Sequence, residues 1–170
     1  VHDLIAGTTG SGKSRFLEQL LAEARHSGLV VTWLIDPQGG QSLPVWMDRV
    51  DWSVRSTDEG LEVLRTAHEV MLARSKYLAN LRWTDDKGRA RRGQDSFTPT
   101  KSMPLLWIVV EESPELFADH PKEAARLVES IVKMGRKCGL KLTLVSQVPS
   151  VEQLGGSSTI RSMVSSGNIA

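Results

Sequence analysis

Short, mostly apolar runs alternate along the chain with longer stretches in which apolar residues recur every three or four positions. The apolar runs cover residues 4–6, 29–35 and 105–110, a fourth run at 140–145 is interrupted by Lys141 and Thr143, and each run ends at polar or turn-forming residues. Runs of this kind predict strands that are buried on both faces of a sheet. Because they alternate with helical stretches and no hairpin signal joins two of them, we predict an α/β fold with a mainly parallel sheet and right-handed crossovers.

Three stretches have helical spacing and recognisable ends. They run from Phe16 to a stop at Gly28, from Ser56 onwards, and from about Lys122, with Pro121 in its first turn, to a stop at Gly139. In the second, Ser56 and Glu59 have the spacing of a capping box. The apolar stripe of this helix consists of Leu61, Leu64, Ala67, Met71 and Leu78. A stripe of this width predicts a helix that packs on the sheet.

The segment before the third apolar run is polar and basic. Residues 84–102 contain glycine and proline, which predicts a long irregular loop. Residues 74–101 hold eight basic and three acidic side chains, a net charge of +5, whereas the segments on either side are at −4 and 0. The basic cluster consists of Lys87, Arg89, Arg91 and Arg92. A polyanionic partner would contact the chain here, and a solvated loop is the alternative.

The composition favours a single globular domain and excludes several other classes of protein. A chain of 170 residues that is 40% hydrophobic and 24% charged fits one globular domain. A single cysteine, Cys138, excludes an internal disulfide and a cysteine-based zinc cluster. No apolar run approaches the roughly 18 residues of a membrane span. The chain opens without methionine inside a predicted strand, and another strand is predicted to start at 166–170, so we expect 1–170 to be one domain truncated at both ends.

A phosphate-binding loop follows the first apolar run. It matches G-x-x-x-x-G-K-[ST] between a predicted strand and a predicted helix. The nucleotide-binding residues are Gly7, Thr8, Thr9, Gly10, Ser11, Gly12, Lys13 and Ser14. The glycines let backbone N–H groups converge on the β-phosphate, and the helix that begins near Lys13 adds its N-terminal amides. We expect Lys13 to lie between the β- and γ-phosphates of ATP, and Ser14 to hold Mg²⁺.

Two glutamates and a glutamine follow later strands. Glu111 and Glu112 come directly after the most apolar run, and adjacent strand residues point to opposite faces, so the two carboxylates must have different tasks. We predict that Glu111 orients Mg²⁺, directly or through water, and that Glu112 polarises the attacking water. Gln147 lies just past the fourth run, where its amide could reach the γ-phosphate or that water.

Asp36-Pro37-Gln38-Gly39 has the form of the D-x-x-G motif of GTPases. We reject a GTPase because no N-K-x-D guanine box follows. In addition, the acidic pair lies on a later strand than this motif.

Four segments together resemble the FtsK/SpoIIIE family of DNA-pumping ATPases. They are residues 2–14, 34–37, 107–117 and 139–150, and their order and spacing match over nearly the whole chain. The loop sequence A-G-T-T-G-S-G-K-S, the strand end I-D-P and the turn S-Q-V-P-S are together more specific than a phosphate-binding loop alone. Residues 160–169 are most similar to the branch that contains the TraB-type plasmid-transfer proteins.

The resemblance implies a RecA-like motor domain that forms a homo-hexamer around double-stranded DNA. Such a motor hydrolyses ATP with Mg²⁺ to move DNA of any sequence, in chromosome segregation or conjugative plasmid transfer. It is cytoplasmic, with a tether to the cell membrane through segments outside this chain. The resemblance makes Lys13 and Ser14 the nucleotide and Mg²⁺ ligands, Glu112 the catalytic base and Gln147 the sensor. Glu111 stands where the family usually has aspartate, which moves the carboxylate by about one C–C bond.

Two other functions remain open at this point. Type VII secretion ATPases share the same motor domain but engage signal peptides of secreted proteins instead of DNA. A non-hydrolysing interaction module is the third possibility, and the intact set of Lys13, Ser14, Glu112 and Gln147 argues against it. Stimulation of the ATPase by DNA or by peptide would separate the first two.

Overall fold

The computed structural model describes residues 2–148 and 150–165. The strands within these ranges are β1 (Asp3–Ala6), β2 (Val30–Ile35), β3 (Trp52–Val54), β4 (Arg82–Thr84), β5 (Ala90–Arg92), β6 (Leu105–Val110) and β7 (Leu140–Ser146). The α-helices are α1 (Lys13–Ser27), α2 (Thr57–Asn80), α3 (Ser113–Asp119), α4 (Pro121–Met134) and α5 (Ser158–Ser165). In the part of the chain so described, none of the helices has the length and apolar character needed to cross a membrane.

Five of the strands form one parallel sheet in the order β1-β7-β6-β2-β3. Helices join β1 to β2, β3 to β6 and β6 to β7, whereas β2 and β3 are joined by the turns of residues 36–51. β1 lies at one edge and pairs with β7, with Asp3 opposite Thr143. In the centre, Ile35 of β2 is opposite Val110 of β6. The predicted RecA-like fold, a mainly parallel sheet flanked by helices, is confirmed.

The two faces of the sheet are covered by different elements. Apolar side chains of α2, α3, α4 and α5 pack on one face in a large core, into which β6 directs Ile108. On the other face a smaller cluster joins Leu17 and Leu21 of α1 to Leu43 and Met47 from the segment after β2, and β6 contributes Val109. Alternate residues of β6 therefore face opposite layers, which explains why this strand is apolar throughout.

Most of the predicted elements are found, and α2 agrees in detail. The Ser56 hydroxyl accepts a hydrogen bond from the Glu59 N–H at 3.3 Å, and the predicted apolar stripe of α2 is buried. The third predicted helix is shorter than expected: α4 ends at Met134, and a 3₁₀ turn continues to Cys138 before the stop at Gly139. Apart from the hairpin described next, three short elements, β3, α3 and α5, were not predicted. The strand predicted to begin within residues 166–170 lies outside the described residues.

The segment predicted as an irregular loop contains an antiparallel β-hairpin, β4 with β5. Asp85 organises its turn, because this carboxylate accepts hydrogen bonds from the N–H groups of Lys87 and Arg89 at 3.0 and 2.8 Å. The Arg89 and Arg91 side chains also donate to it, at 3.0 and 2.9 Å. Gly88 takes the left-handed conformation that the turn needs, with φ 74°. A side chain that binds its own turn in this way closes a hairpin without a long apolar pattern.

After the hairpin, the chain is fastened to the sheet around Arg74 of α2. The Arg74 guanidinium donates to the carbonyls of Gly139 at 2.9 Å and Pro104 at 2.8 Å. It also lies 5.3 Å from the centre of the Phe97 ring. That ring packs directly on Gly139, where a Cβ atom would come within 2.4 Å of it. The contact between Phe97 and Gly139 therefore requires a glycine at this position.

Replacing Gly139 with alanine is expected to lower the free energy of unfolding by about 3 kcal/mol. The variant combines a left-handed backbone (φ 72°) with overpacking against Phe97. Urea unfolding followed by circular dichroism would measure the change. Gly28→Ala is the matched control, because Gly28 is also left-handed (φ 64°) and a Cβ there meets nothing within 4 Å. Equal losses in the two variants would contradict a packing role for Gly139.

Candidate active site

The phosphate-binding loop connects the end of β1 to the start of α1. Gly10 and Gly12 have φ angles of 81° and 93°, and Gly12 is the N-cap of α1. A Cβ atom at Gly7 would lie 2.6 Å from the Ser11 hydroxyl, so this position also needs glycine. The Gly7 N–H donates to the Ser146 carbonyl at 3.3 Å, which ties the loop to the end of β7. The predicted loop is thus present between a buried strand and the N-terminus of a helix, as phosphate binding requires.

Lys13 lies inside this loop and contacts its backbone. Its ammonium donates to the carbonyl of Gly7, and to that of Thr8 at 3.3 Å. These partners are neutral, so the charge of Lys13 remains available to a phosphate that approaches the loop. Ser14, the next residue, is exposed in the first turn of α1.

Glu111 follows β6 and is buried, with 5% of its surface exposed. Its N–H donates to the Ile35 carbonyl at 2.8 Å, but its Oε2 atom has no hydrogen-bond partner in the described structure. Burial, together with the negative charges of Asp36 and Glu112, raises the pKa of Glu111 to about 7, while Lys13 acts in the opposite direction. A buried carboxylate oxygen without a partner is suited to bind a cation.

The raised pKa of Glu111 predicts that the nucleotide-free protein loses stability as the pH increases. In the unfolded chain this carboxyl ionises near 4.5, whereas in the folded protein it stays protonated up to about 7. The free energy of unfolding therefore decreases between these two pH values. The total loss at higher pH is about 3 kcal/mol at most. Glu111→Gln should be more stable than the wild type at pH 8 and similar to it at pH 4.5, measured by thermal unfolding.

The control for this pH dependence is Glu23→Gln, on the exposed surface of α1. It should follow the wild-type profile at every pH. A Glu111→Gln variant whose advantage is the same at pH 4.5 and 8 would contradict the assignment of the buried carboxyl.

Glu112 has an unusual backbone and contacts the predicted sensor. It is the N-cap of α3 and, within residues 2–148 and 150–165, the one non-glycine residue with positive φ (41°). Its Oε2 atom accepts a hydrogen bond from the Gln147 amide at 3.4 Å. Gln147 follows β7 as predicted, although Pro149 of the same turn lies outside the described residues. The structure thus brings two of the predicted site residues into contact.

Asp36 is a further carboxylate at this edge that our sequence analysis did not assign to the site. It follows β2 and is fully buried, and its oxygens accept hydrogen bonds from the N–H groups of Gln38 at 3.2 Å and Ser42 at 3.0 Å. Since Ile35 is opposite Val110 in the sheet, Asp36 and Glu111 are the next pair in register. An acidic residue at the end of a nearly continuous apolar run was the available signal.

The residues at this edge fit a bound Mg²⁺ ion. Ser14 supplies a hydroxyl and Glu111 a carboxylate oxygen without a partner, and both are oxygen ligands of the kind that Mg²⁺ prefers. Within the described ranges, no group of three or more histidine, cysteine or acidic side chains could hold a metal ion. The protein ligands are therefore few, as expected where nucleotide phosphates and water complete the coordination of Mg²⁺.

Comparison with known proteins concerns the chain as a whole. No protein-family model matches the chain. The DNA translocase FtsK of Borreliella burgdorferi is 29% identical over 163 residues, which cover 91% of this chain and 20% of FtsK. The type VII secretion system protein EssC of Staphylococcus aureus is 32% identical over 155 residues, which cover 88% of this chain and 10% of EssC. The chain thus spans a fifth or less of these curated relatives.

Solved structures agree with the fold. The pCW3 conjugation coupling protein TcpA, a monomer with ATPγS, matches 96% of this chain and 46% of its own with a TM-score of 0.73 and 21% identity. Thermomonospora curvata EccC (ATPases 2 and 3), in complex with a signal sequence peptide, matches 96% of this chain and 30% of its own, with a TM-score of 0.69 and 19% identity. The relatives and neighbours are motor domains of the FtsK/SpoIIIE type, which confirms the resemblance recognised in the sequence.

Proposed function

From its relationship to FtsK/SpoIIIE-type motor ATPases, we propose that this chain binds Mg·ATP and hydrolyses it to move double-stranded DNA. The observation that carries the proposal is the convergence of the phosphate-binding loop, Glu111, Glu112 and Gln147 at the carboxyl ends of neighbouring parallel strands. Ligands of open parallel sheets bind at this edge. The chain therefore has the groups for phosphoryl transfer to water in one place.

Each residue has a defined task in this proposal. The Lys13 ammonium leaves the loop carbonyls and contacts the phosphates, while backbone N–H groups from Gly7 to Ser14 surround them. Ser14 and Glu111 hold Mg²⁺, which supplies positive charge to the phosphates when bound. The carboxylate of Glu112 orients the attacking water and accepts its proton.

Gln147 links this chemistry to the state of the nucleotide. In the structure its amide donates to Glu112, the group that must face the water during hydrolysis. A γ-phosphate in the site offers the same amide a charged acceptor, and hydrogen bonds to charged groups are the stronger ones. Binding of ATP would thus draw Gln147 away from Glu112 and release the carboxylate for catalysis.

The hairpin of β4 and β5 favours DNA as the transported molecule. Both strands are exposed throughout, and the hairpin carries Arg82, Lys87, Arg89, Arg91 and Arg92. Contacts to phosphate groups need no base recognition, which suits transport along any sequence. Assembly as a homo-hexamer and a tether to the cell membrane belong to the same proposal and rest on the family resemblance.

A type VII secretion ATPase that engages signal peptides is the second candidate, because EssC is as similar to this chain as FtsK is. The test is ATP hydrolysis by the complete protein with double-stranded DNA or with signal peptides of secreted proteins. Stimulation by DNA of unrelated sequences supports the first proposal. Stimulation by peptide and not by DNA would overturn it in favour of secretion.

Some of the basic side chains of the hairpin are already engaged in hydrogen bonds, and the others are available to contact DNA. Arg89 and Arg91 are held by Asp85, and the Arg92 guanidinium donates to Asn80 at 2.8 Å. The side chains of Arg82 and Lys87 have no such partner in the structure as described. Arg82 and Lys87 are therefore the better candidates for phosphate contacts, and replacing the other three would also loosen the hairpin.

Replacing Arg82 and Lys87 together with alanine is expected to flatten the salt dependence of DNA binding. Each lost phosphate contact should reduce the slope of log affinity against log salt concentration by roughly 0.9 for duplex DNA. DNA-stimulated hydrolysis should weaken, and nucleotide binding without DNA should stay the same. Fluorescence anisotropy of labelled duplexes over a range of salt concentrations measures the slope.

The control is the double variant Arg136→Ala and Lys137→Ala, which removes two exposed cations outside the hairpin. It should leave the slope at the wild-type value. An unchanged slope in the hairpin variant would mean that the DNA-binding surface lies elsewhere.

A further inference from the structure

The left-handed backbone of Glu112 has to be held by the structure around it. A residue other than glycine is unstable in this conformation and persists only where its surroundings fix it. Glu112 is followed immediately by α3, and the Glu115 N–H in the first turn of α3 donates to the Glu112 carbonyl at 3.0 Å. The position of α3 therefore determines the conformation of Glu112.

Several contacts fasten α3 to the rest of the fold. The buried Ser113 hydroxyl donates to the Val145 carbonyl at 3.0 Å, and Leu116 and Phe117 lie in the core. At the other end of α3, the Thr57 hydroxyl donates to Asp119 at 2.6 Å. The Ser113 contact holds the buried side of the first turn, and the other contacts hold the core-facing side and the end of α3.

The first turn of α3 is held from the nucleotide edge by Gln38. The Gln38 amide donates to the Glu115 carboxylate at 2.8 Å, across 77 positions of sequence. Gln38 itself is fixed, because its N–H donates to the fully buried Asp36 and the Asp36 N–H donates to the Val54 carbonyl at 3.1 Å. A continuous set of hydrogen bonds thus leads from the end of β2 through Gln38 and Glu115 to Glu112.

We infer that Gln38 is a positioning residue for Glu112, and this inference rests on the proposed role of Glu112 as the catalytic base. The Gln38 amide holds Glu115, and with it the first turn of α3, so that the Glu112 carboxylate stays in place at the nucleotide edge of the sheet. Gln38 does not have to touch the nucleotide for this role. Its loss should slow the chemical step and leave nucleotide affinity unchanged.

Exchange of the donor and the acceptor tests this inference. Gln38→Glu places a second carboxylate beside that of Glu115, so the two groups repel each other. This variant should lower kcat about tenfold, the equivalent of one charge-assisted hydrogen bond, with KM for ATP unchanged. Glu115→Gln keeps an acceptor for the Gln38 amide and should remain close to the wild type. In the double variant Gln38→Glu, Glu115→Gln, the new amide donates to the new carboxylate, so kcat should return to within about twofold of the wild type.

Gln41→Glu is the matched control, since it places the same charge on an exposed residue of the same loop. It should leave kcat unchanged. An unaltered kcat in Gln38→Glu, or no recovery in the double variant, overturns the inference, as does a loss of activity that only follows a lower Tm. Glu112→Gln is measured alongside: if it still hydrolyses ATP, the proposed role of Glu112 as the catalytic base fails and the inference fails with it, whereas if it is inactive and the Gln38 variants are normal, only the role of Gln38 fails.

Discussion

Replacing Lys13 with alanine is expected to lower the affinity for Mg·ATP by about 10³-fold. The lysine is the cation of the phosphate-binding loop, and its contact with a phosphate is worth about 4 kcal/mol at the effective dielectric constant of a partly buried pair. In the nucleotide-free protein the ammonium contacts only backbone carbonyls, so its removal leaves no unpaired carboxylate behind. Isothermal titration calorimetry with a non-hydrolysable ATP analogue measures the loss.

The control is Arg25→Ala at the other end of α1, about 18 Å along the helix axis. It removes the same charge without touching the loop and should keep the wild-type affinity. If the Lys13→Ala and wild-type proteins bind the analogue equally well, the loop does not hold phosphates as proposed.

Replacing Glu112 with glutamine is expected to retain ATP binding and to reduce hydrolysis by about 10²- to 10⁴-fold. An amide has nearly the same shape as the carboxylate and can still pair with Gln147, but it cannot accept a proton from water. Single-turnover hydrolysis of radiolabelled ATP, together with a binding measurement on the same protein, separates the two effects.

The companion variant Glu111→Gln distinguishes the tasks of the two glutamates. This variant should weaken the dependence of nucleotide binding on Mg²⁺, because it removes the carboxylate of Glu111. The Oε2 atom of that carboxylate has no hydrogen-bond partner in the described structure and is the proposed ligand of the ion. If Glu111→Gln stops hydrolysis at saturating Mg²⁺ and Glu112→Gln does not, the two roles are reversed.

The parts of the site that could be predicted are those with local sequence patterns. The glycine spacing from Gly7 to Gly12 reflects a backbone requirement within one loop, and the apolar run before Glu111 marks the end of one strand. Neither pattern depends on distant parts of the chain. For the same reason, the capping box at Ser56 and the stripe of α2 were predicted correctly.

What could not be predicted depends on neighbours in space. Asp36 and Glu111 come together because β2 lies beside β6, and nothing in either segment specifies that order. The bond between Gln38 and Glu115 requires the same topology. The α3 helix did have a local signal, Pro114 in its first turn, but seven residues are too few for a periodic apolar pattern to emerge.

The hairpin was missed for a different reason. Its strands have three residues each, both are exposed on their two faces, and their side chains are mostly polar, so no alternation reveals them. The Asp85 carboxylate organises the turn, but in the sequence nothing distinguishes it from the other charged residues of this segment. The same side chain also decides that Arg89 and Arg91 are already paired, which net charge alone does not indicate.

The position of β1 at the edge of the sheet determines when nucleotide binding can arise during folding. β1 is synthesised first, yet it pairs in the sheet with β7, and its Asp3 and Thr143 partners are 140 positions apart. Contacts between such distant segments close a very long loop and form slowly. While β7 is still inside the ribosome, the nascent chain already contains the complete phosphate-binding sequence. It lacks β7, however, the strand that pairs with β1 and supports the loop. ATP can therefore stabilise this protein only after almost all of the chain described here has emerged.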